Sequence, residues 1–407
     1  MPGIYSIKGT VKHYDWGGTS FIPSLLQTEN TAGRPFAEYW MGVHPHDNSI
    51  IELPEHPGKL LREYMIENPA LLGIEVEKHF GHLPYLLKVL DVKDMLSIQV
   101  HPSKEAAEKE FARENLENIP PDSPHRNYKD DNHKPELLVA LSEFWLLHGF
   151  KPEDALTETL NAIPEFNELL TVFQQPGGYE NLYQLVMEIP QEDVNRILQP
   201  LIDRIIPLYY ENTLNKDDAN FWAARAALTF AENNNVDRGI FSIYFFNLLQ
   251  LKKGEAVFQA AGVPHAYLEG QNVEIMANSD NVLRGGLTRK HIDVKELMKH
   301  IKFEATEVEI LPGKPLKDGE KVYETTAPDF ELSVFDLQGK STVSFVPATA
   351  EILLLTEGTA ELDNGVDTIT LLKGHPSAIA FPDQTVHLYS ASGATVYRAS
   401  VTINKSE

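Results

Sequence analysis

Cysteine is missing from all 407 residues. Its absence excludes disulfides and thiolate chemistry, and it restricts any metal site to nitrogen and oxygen donors. Long apolar runs are missing as well. Those present, such as Glu351-Ile-Leu-Leu-Leu-Thr356, are strand-sized and far short of the roughly 20 residues a bilayer helix needs, so no membrane association is expected. Positive charge is scarce: 35 Lys and Arg stand against 59 Asp and Glu, a formal net charge of −24. Such a surface repels a phosphate backbone, so nucleic acid is not the expected partner, and an anionic substrate needs a local basic pocket. The opening Met1-Pro-Gly-Ile-Tyr-Ser-Ile-Lys-Gly-Thr10 lacks the basic start and apolar stretch of a signal peptide, and a cytoplasmic location is expected.

What is present is ordinary globular composition, 42% hydrophobic and 23% charged, in a chain too long for one core, so two or three domains are expected. Up to about residue 150, strands and loops alternate with Gly/Pro punctuation; Pro84–Leu90 and Leu96–His101 read as buried strands. Ser103 is a plausible N-cap for a helix that ends before Pro120. From Pro152 to about Asn234 the period becomes helical, with Leu156, Leu160 and Ile163 on one face and Val194, Ile197, Leu198, Leu201 and Ile205 on another. Strand character returns at Ile243–Leu251 and Ala256–Ala260. Beyond residue 304, short β segments alternate with turns such as Asp363-Asn-Gly365, as in a small all-β barrel or sandwich. The division is therefore a split catalytic barrel, 1–151 with 236–303, interrupted by a helical domain, 152–235, and followed by a second barrel, 304–407. Only His375 and His387 are available in that last barrel, and no metal is expected there.

Alternation along Met95–His101 puts Ser97, Gln99 and His101 on one face. Lys134 and Glu136 share a side where the apolar Leu137–Leu141 run begins, and His265 shares a face with Tyr267. Gln99, His101, Glu136 and His265 make a four-donor set suited to one divalent ion per chain. Two imidazoles favour zinc, with manganese, iron and cobalt left open. A single anionic donor leaves a formal charge of about +1 on a zinc(II) complex and preserves its Lewis acidity. Glu274, Asp280, Arg284 and Lys290 follow closely and supply acid-base and anion-binding groups. Histidines 13, 44, 46, 56, 79, 82, 125, 148, 291 and 300 keep the ordinary reading of hydrogen-bonded core or surface residues.

Four long motifs, Ile98-Gln-Val-His-Pro-Ser-Lys104, Tyr128-Lys-Asp-Asp-Asn-His-Lys-Pro-Glu136, Gly262-Val-Pro-His-Ala-Tyr-Leu268 and Asn278-Ser-Asp-Asn-Val-Leu-Arg284, resemble the type I mannose-6-phosphate isomerases. Tyr14-Asp-Trp-Gly17 and Glu38-Tyr-Trp-Met-Gly42 extend the resemblance along almost the whole chain. It implies a mainly β protein of two cupin-like jelly-roll barrels with a helical insertion. It also implies zinc at Gln99, His101, Glu136 and His265, and an active-site arginine at Arg284. The family usually has Ala after that arginine and Pro before the lysine, where this chain has Gly285 and Arg289.

The implied reaction interconverts mannose 6-phosphate and fructose 6-phosphate, and a monomer with a small sugar phosphate as partner is expected. Proton transfer would fall to Lys134, Asp280 or Glu274, in that order, with His133 a further candidate and Tyr267 a relay. Lys134 could act as base only with a lowered pKa, and Asp280 could instead brace the loop ahead of Arg284. Arg284 would hold either the developing oxyanion or the phosphate. Ser103, Lys104 and Lys290 are the other phosphate contacts proposed, Ser103 by its place at a helix N-terminus. A non-catalytic sugar-phosphate sensor and an iron-dependent cupin oxygenase are the alternatives.

Overall fold

A run such as Tyr85-Leu-Leu-Lys-Val-Leu-Asp-Val92, apolar on both faces, forms a strand only where neighbours cover both sides. In the computed structural model, which describes residues 3–402, every residue of this strand is buried. It pairs antiparallel with Glu38–Gly42 on one edge and with the long strand His265–Ala277 on the other. The long strand is the organising element of a ten-stranded sheet. Along its length it also pairs with Gln99, with Glu136–Ala140 and with Phe144–Phe150. Gln99 and Phe144–Phe150 meet at its N-terminal half, Glu136–Ala140 at its C-terminal half.

The architecture is the expected one, mainly β with a helical insertion. Strands pair as three sheets of nine, ten and four; those of nine and four are open paths, and that of ten branches at the long strand. The insertion supplies helices Glu153–Ala162, Asn167–Phe173, Gly178–Glu188, Gln191–Tyr210 and Ala219–Phe230. Their apolar faces join the sheet in one cluster that includes Val100, Leu147, Leu160, Leu198, Trp222 and Phe241. The helix expected after Ser103 spans Lys104–Leu116, capped by the Ser103 Oγ accepting from Ala106 N–H at 3.2 Å. No helix among the described residues is long and apolar enough to cross a membrane.

Two expectations are corrected. Ile243–Phe245 belong to a helix, Gly239–Phe245, and the strand starts only at Phe246; a continuous apolar run does not distinguish a buried helix from a buried strand. The strand expected over Leu96–His101 is reduced to Gln99–Val100. The sheet built mainly from residues 314–400 also takes in Ile4–Lys8 and the hairpin of Ile50–Leu53 and His56–Leu60. Ile4 sits opposite Ala380, a pairing of chain ends that local patterning does not encode.

His148, on Phe144–Phe150, has the structural role read for it: its buried ring sits 2.8 Å by Nδ1 from Gln259 Oε1. Burial holds the imidazole down at about 4, against the partial counter-effect of Gln259. The unfolded chain therefore takes up a proton at this residue that the folded chain refuses as pH falls from about 6.5 to 4. The stability contributed by the neutral ring is complete above that window and is lost on descending through it. His148→Gln, which keeps an amide N–H for Gln259, is expected to flatten the pH dependence of the urea midpoint between pH 6.5 and 4 by about one proton. An unchanged slope in parallel titrations would refute this assignment.

Candidate metal centre and active site

Three strand ends deliver the donors. Gln99 and His101 come from the Gln99–Val100 strand and the residue after it, Glu136 opens Glu136–Ala140, and His265 opens His265–Ala277. Register places His265 opposite Gln99, and Gln99 opposite Arg284. The donor atoms of His101, Glu136 and His265 lie within 4.8 Å of one another, and all three residues are buried.

Both rings are oriented from behind. Nδ1 of His101 lies 2.9 Å from the Asn281 carbonyl and Nδ1 of His265 lies 3.0 Å from that of Val263. A carbonyl only accepts, so the proton sits on Nδ1 and each Nε2 presents a lone pair. Those lone pairs stand 3.4 Å from Oε1 and Oε2 of Glu136. Acceptors thus face acceptors, and the buried Nε2 of His101 has no hydrogen-bond partner. An unmatched buried polar atom costs about 1–3 kcal/mol; a divalent cation between these atoms removes the conflict. The donor set fits zinc, with Gln99 beside it as the neutral fourth donor proposed from sequence.

Protonation states suit a cation too. Burial lowers His101 to about 4 although Glu136 pulls it up. Burial alone would raise Glu136, but Lys134 at 3.0 Å holds it well below the usual carboxylate range. Near neutrality Glu136 is a carboxylate and His101 a neutral ring, the forms that bind metal.

Two adjoining cavities lie beside it. An inner chamber of about 60 Å³ is lined by Gln99, Glu136 and His265 with Glu38, Lys88, Lys134, Tyr267 and Glu274. An outer cavity of about 520 Å³ shares Glu38, Leu96 and Gln99 with it and is lined further by Tyr14, Trp16, Phe230, Arg284, Arg289 and Lys290. Tyr267 donates to Glu274 Oε1 at 2.9 Å, and burial first, then the two carboxylates, keep its phenol protonated. Glu274 is raised, burial outweighing the pull of Lys88 at 3.0 Å. Tyr267 and Glu274 are seven residues apart, an odd interval that would put them on opposite faces of a regular strand. A register shift between Tyr267 and Glu269, with Gly270 at φ +126°, restores them to one side.

Of the other residues singled out in the sequence, Lys134, Arg284 and Lys290 line these cavities. Among the described residues Arg284 makes no ion pair; burial lowers it, and burial likewise lowers Lys290. His133, Ser103, Lys104 and Asp280 do not line either cavity. His133 Nε2 lies 2.8 Å from Asp329. Ser103 is spent on its helix cap, and the exposed Lys104 reaches the Asp131 carbonyl at 3.1 Å and Glu108 at 3.4 Å. Asp280 contacts His44 at 3.4 Å and His46 at 3.5 Å. Burial opposes its ionisation, yet His44 holds it down at about 2, which makes it a poor base. Sequence reasoning missed Lys88 and Glu38. The signal was a lysine inside an otherwise apolar strand: a buried ammonium persists only with carboxylate partners, and Lys88 has Glu274 at 3.0 Å and Glu38 at 3.8 Å.

The profile of the family described as phosphomannose isomerase type I, catalytic domain, matches residues 4–153. The mannose-6-phosphate isomerase of Escherichia coli K12 is 36% identical over 382 residues, covering 93% of this chain and 95% of that protein. The human mannose-6-phosphate isomerase is 34% identical over 392 residues, with 88% of each chain covered. A crystal structure of the Salmonella typhimurium mannose 6-phosphate isomerase bound to fructose 6-phosphate and zinc superposes with a TM-score of 0.87 at 32% identity, covering 98% of this chain and 100% of that one. With the donor triad, its flanking chambers and full-length relatives at this identity, the chain belongs to the type I phosphomannose isomerases.

Proposed function

We infer that the chain interconverts mannose 6-phosphate and fructose 6-phosphate, with carbons 1 and 2 of the open-chain sugar in the inner chamber and the phosphate toward Arg284 and Lys290. The observation that carries this arrangement is the shared wall of the two cavities, Glu38, Leu96 and Gln99: metal donors and proton-transfer groups line one side, and Arg284 and Lys290, without ion pairs among the described residues, the other. Neither a sensor nor an oxygenase accounts for both ends.

Gln99, His101, Glu136 and His265 would hold zinc, which when bound supplies Lewis acidity toward the oxygens at carbons 1 and 2. Proton transfer falls to Lys134 and Glu274, the two of the sequence-derived candidates that line the inner chamber. One proton leaves one carbon and returns to its neighbour, so the same group can serve as base and then as acid. Tyr267, protonated and donating to Glu274, orients that carboxyl and keeps it facing the substrate. Lys88 holds Glu274 from the opposite strand. Arg284 lines the outer cavity and not the inner one, which favours phosphate binding over a role at the oxyanion.

Turnover of mannose 6-phosphate is expected to vanish on chelation and return with zinc, and His101→Ala is expected to lose both zinc and activity. Well-folded, zinc-loaded protein without turnover would sink the assignment. Glu274→Gln and Lys134→Met are each expected to lower kcat by about 10²- to 10⁴-fold, whereas Asp280→Asn should cost less than about tenfold. Equal losses in all three would return Asp280 to candidacy. Arg284→Ala should raise KM by roughly 10- to 100-fold, the worth of charge-assisted bonds to a phosphate, with a smaller change in kcat; a loss confined to kcat would place Arg284 at the oxyanion instead.

A further inference from the structure

Arg289 and Lys290 stand on the loop that follows the Leu283–Arg284 strand, and the backbone of that loop is gripped by the segment just after the helical insertion. Asp237 Oδ1 accepts from Leu287 N–H at 2.8 Å and from Gly239 N–H at 2.7 Å, while Oδ2 accepts from Thr288 N–H at 3.1 Å. Leu287 is held at φ +53°, a left-handed conformation that a leucine does not adopt without outside support. Gly286, at φ +124°, lies so close to Gly239 that a Cβ there would stand 2.4 Å from the Gly239 Cα, so only glycine permits the approach. A Cβ on Gly285 would meet the Tyr183 hydroxyl at 2.6 Å, another contact with the insertion. Behind Asp237, the Arg238 guanidinium donates to the carbonyls of Val186, Met187 and Ile189, where the helix Gly178–Glu188 ends.

We propose that Asp237 is a positioning residue for the isomerase reaction: its carboxylate, braced against the insertion through Arg238, fixes the left-handed Leu287 turn and so aims Arg284 and Lys290 into the outer cavity. Asp237 itself lines neither cavity and bonds none of the metal donors; it holds Leu287 and Thr288 of the outer wall from behind. Its effect passes through the loop backbone to the two cations. The inference rests on the outer cavity binding phosphate.

The test uses full-length, zinc-loaded protein, with Asp237→Ala and Asp237→Asn beside wild type. Four quantities are read: KM and kcat for mannose 6-phosphate, the inhibition constant of inorganic phosphate, and zinc content. Without the carboxylate the turn relaxes, and Asp237→Ala is expected to raise both KM and the phosphate inhibition constant about tenfold, with zinc content unchanged and kcat within about threefold. Asp237→Asn keeps an acceptor for Leu287 and Gly239 and sets an amide against Thr288 N–H; it is expected to show about a threefold rise in both constants, and it carries the test should the alanine variant fail to fold. If the folded variants kept wild-type KM and phosphate inhibition, or lost zinc or kcat while phosphate inhibition stayed unchanged, Asp237 would be a packing residue and the proposal would fall. Absence of turnover in the wild type would overturn the assigned reaction instead; calorimetric titration of inorganic phosphate into wild type and variants then decides the role of Asp237 by the same fold-change.

Discussion

Glu136 carries a negative charge at a place almost closed to water, and the surrounding chain is arranged around that charge. An isolated carboxylate in such a setting would take up a proton. Here Lys134 and two imidazoles face it, and the rings cannot answer it by donating, because backbone carbonyls occupy their Nδ1–H groups. The conflict is resolved by a cation, so the protein interior is built to be completed by one.

The same constraint recurs one strand away. Lys88, Glu38 and Glu274 are ionisable groups inside the ten-stranded sheet, and each is tolerable only because the others are there. Removing one member of such a set leaves uncompensated charge, typically worth about 3–5 kcal/mol. The residues suited to proton transfer are therefore also elements of the fold, and their positions are stiff. Stiffness serves an isomerase, since moving a proton between adjacent carbons leaves little room for misplacement.

Charge is distributed with equal economy at the other end of the cleft. In a chain with net charge −24, the outer cavity keeps Arg284 and Lys290 free of carboxylate partners among the described residues. A local patch of this kind offsets the repulsion that the acidic surface exerts on an anionic sugar phosphate. The helical insertion contributes Phe230 to the cavity wall and, through Asp237, holds the loop that carries the cations. It thus connects with the site by backbone contacts as well as by packing.

The amino-acid sequence by itself determined the donor chemistry and much of the architecture. Gln99, His101, Glu136 and His265 stand out because histidines and a carboxylate fall beside apolar strand segments in a chain without cysteine, and the helical period between 152 and 234 separates the insertion from the strands. Lys134 was legible from its spacing to Glu136. Tertiary structure alone decided the rest. Glu274 reaches Tyr267 through a strand irregularity that shifts side-chain parity by one, which no alternation pattern records. Lys88 lines the inner chamber beside its cross-strand neighbour Glu274, while Asp280 lies outside both cavities against His44, which comes from a loop distant in sequence. Ile4–Lys8 joined a sheet made mostly of the chain's last hundred residues. Local periodicity reports which face a residue occupies within its own element; register between distant strands decides which faces meet, and that depends on pairings with no short-range signature.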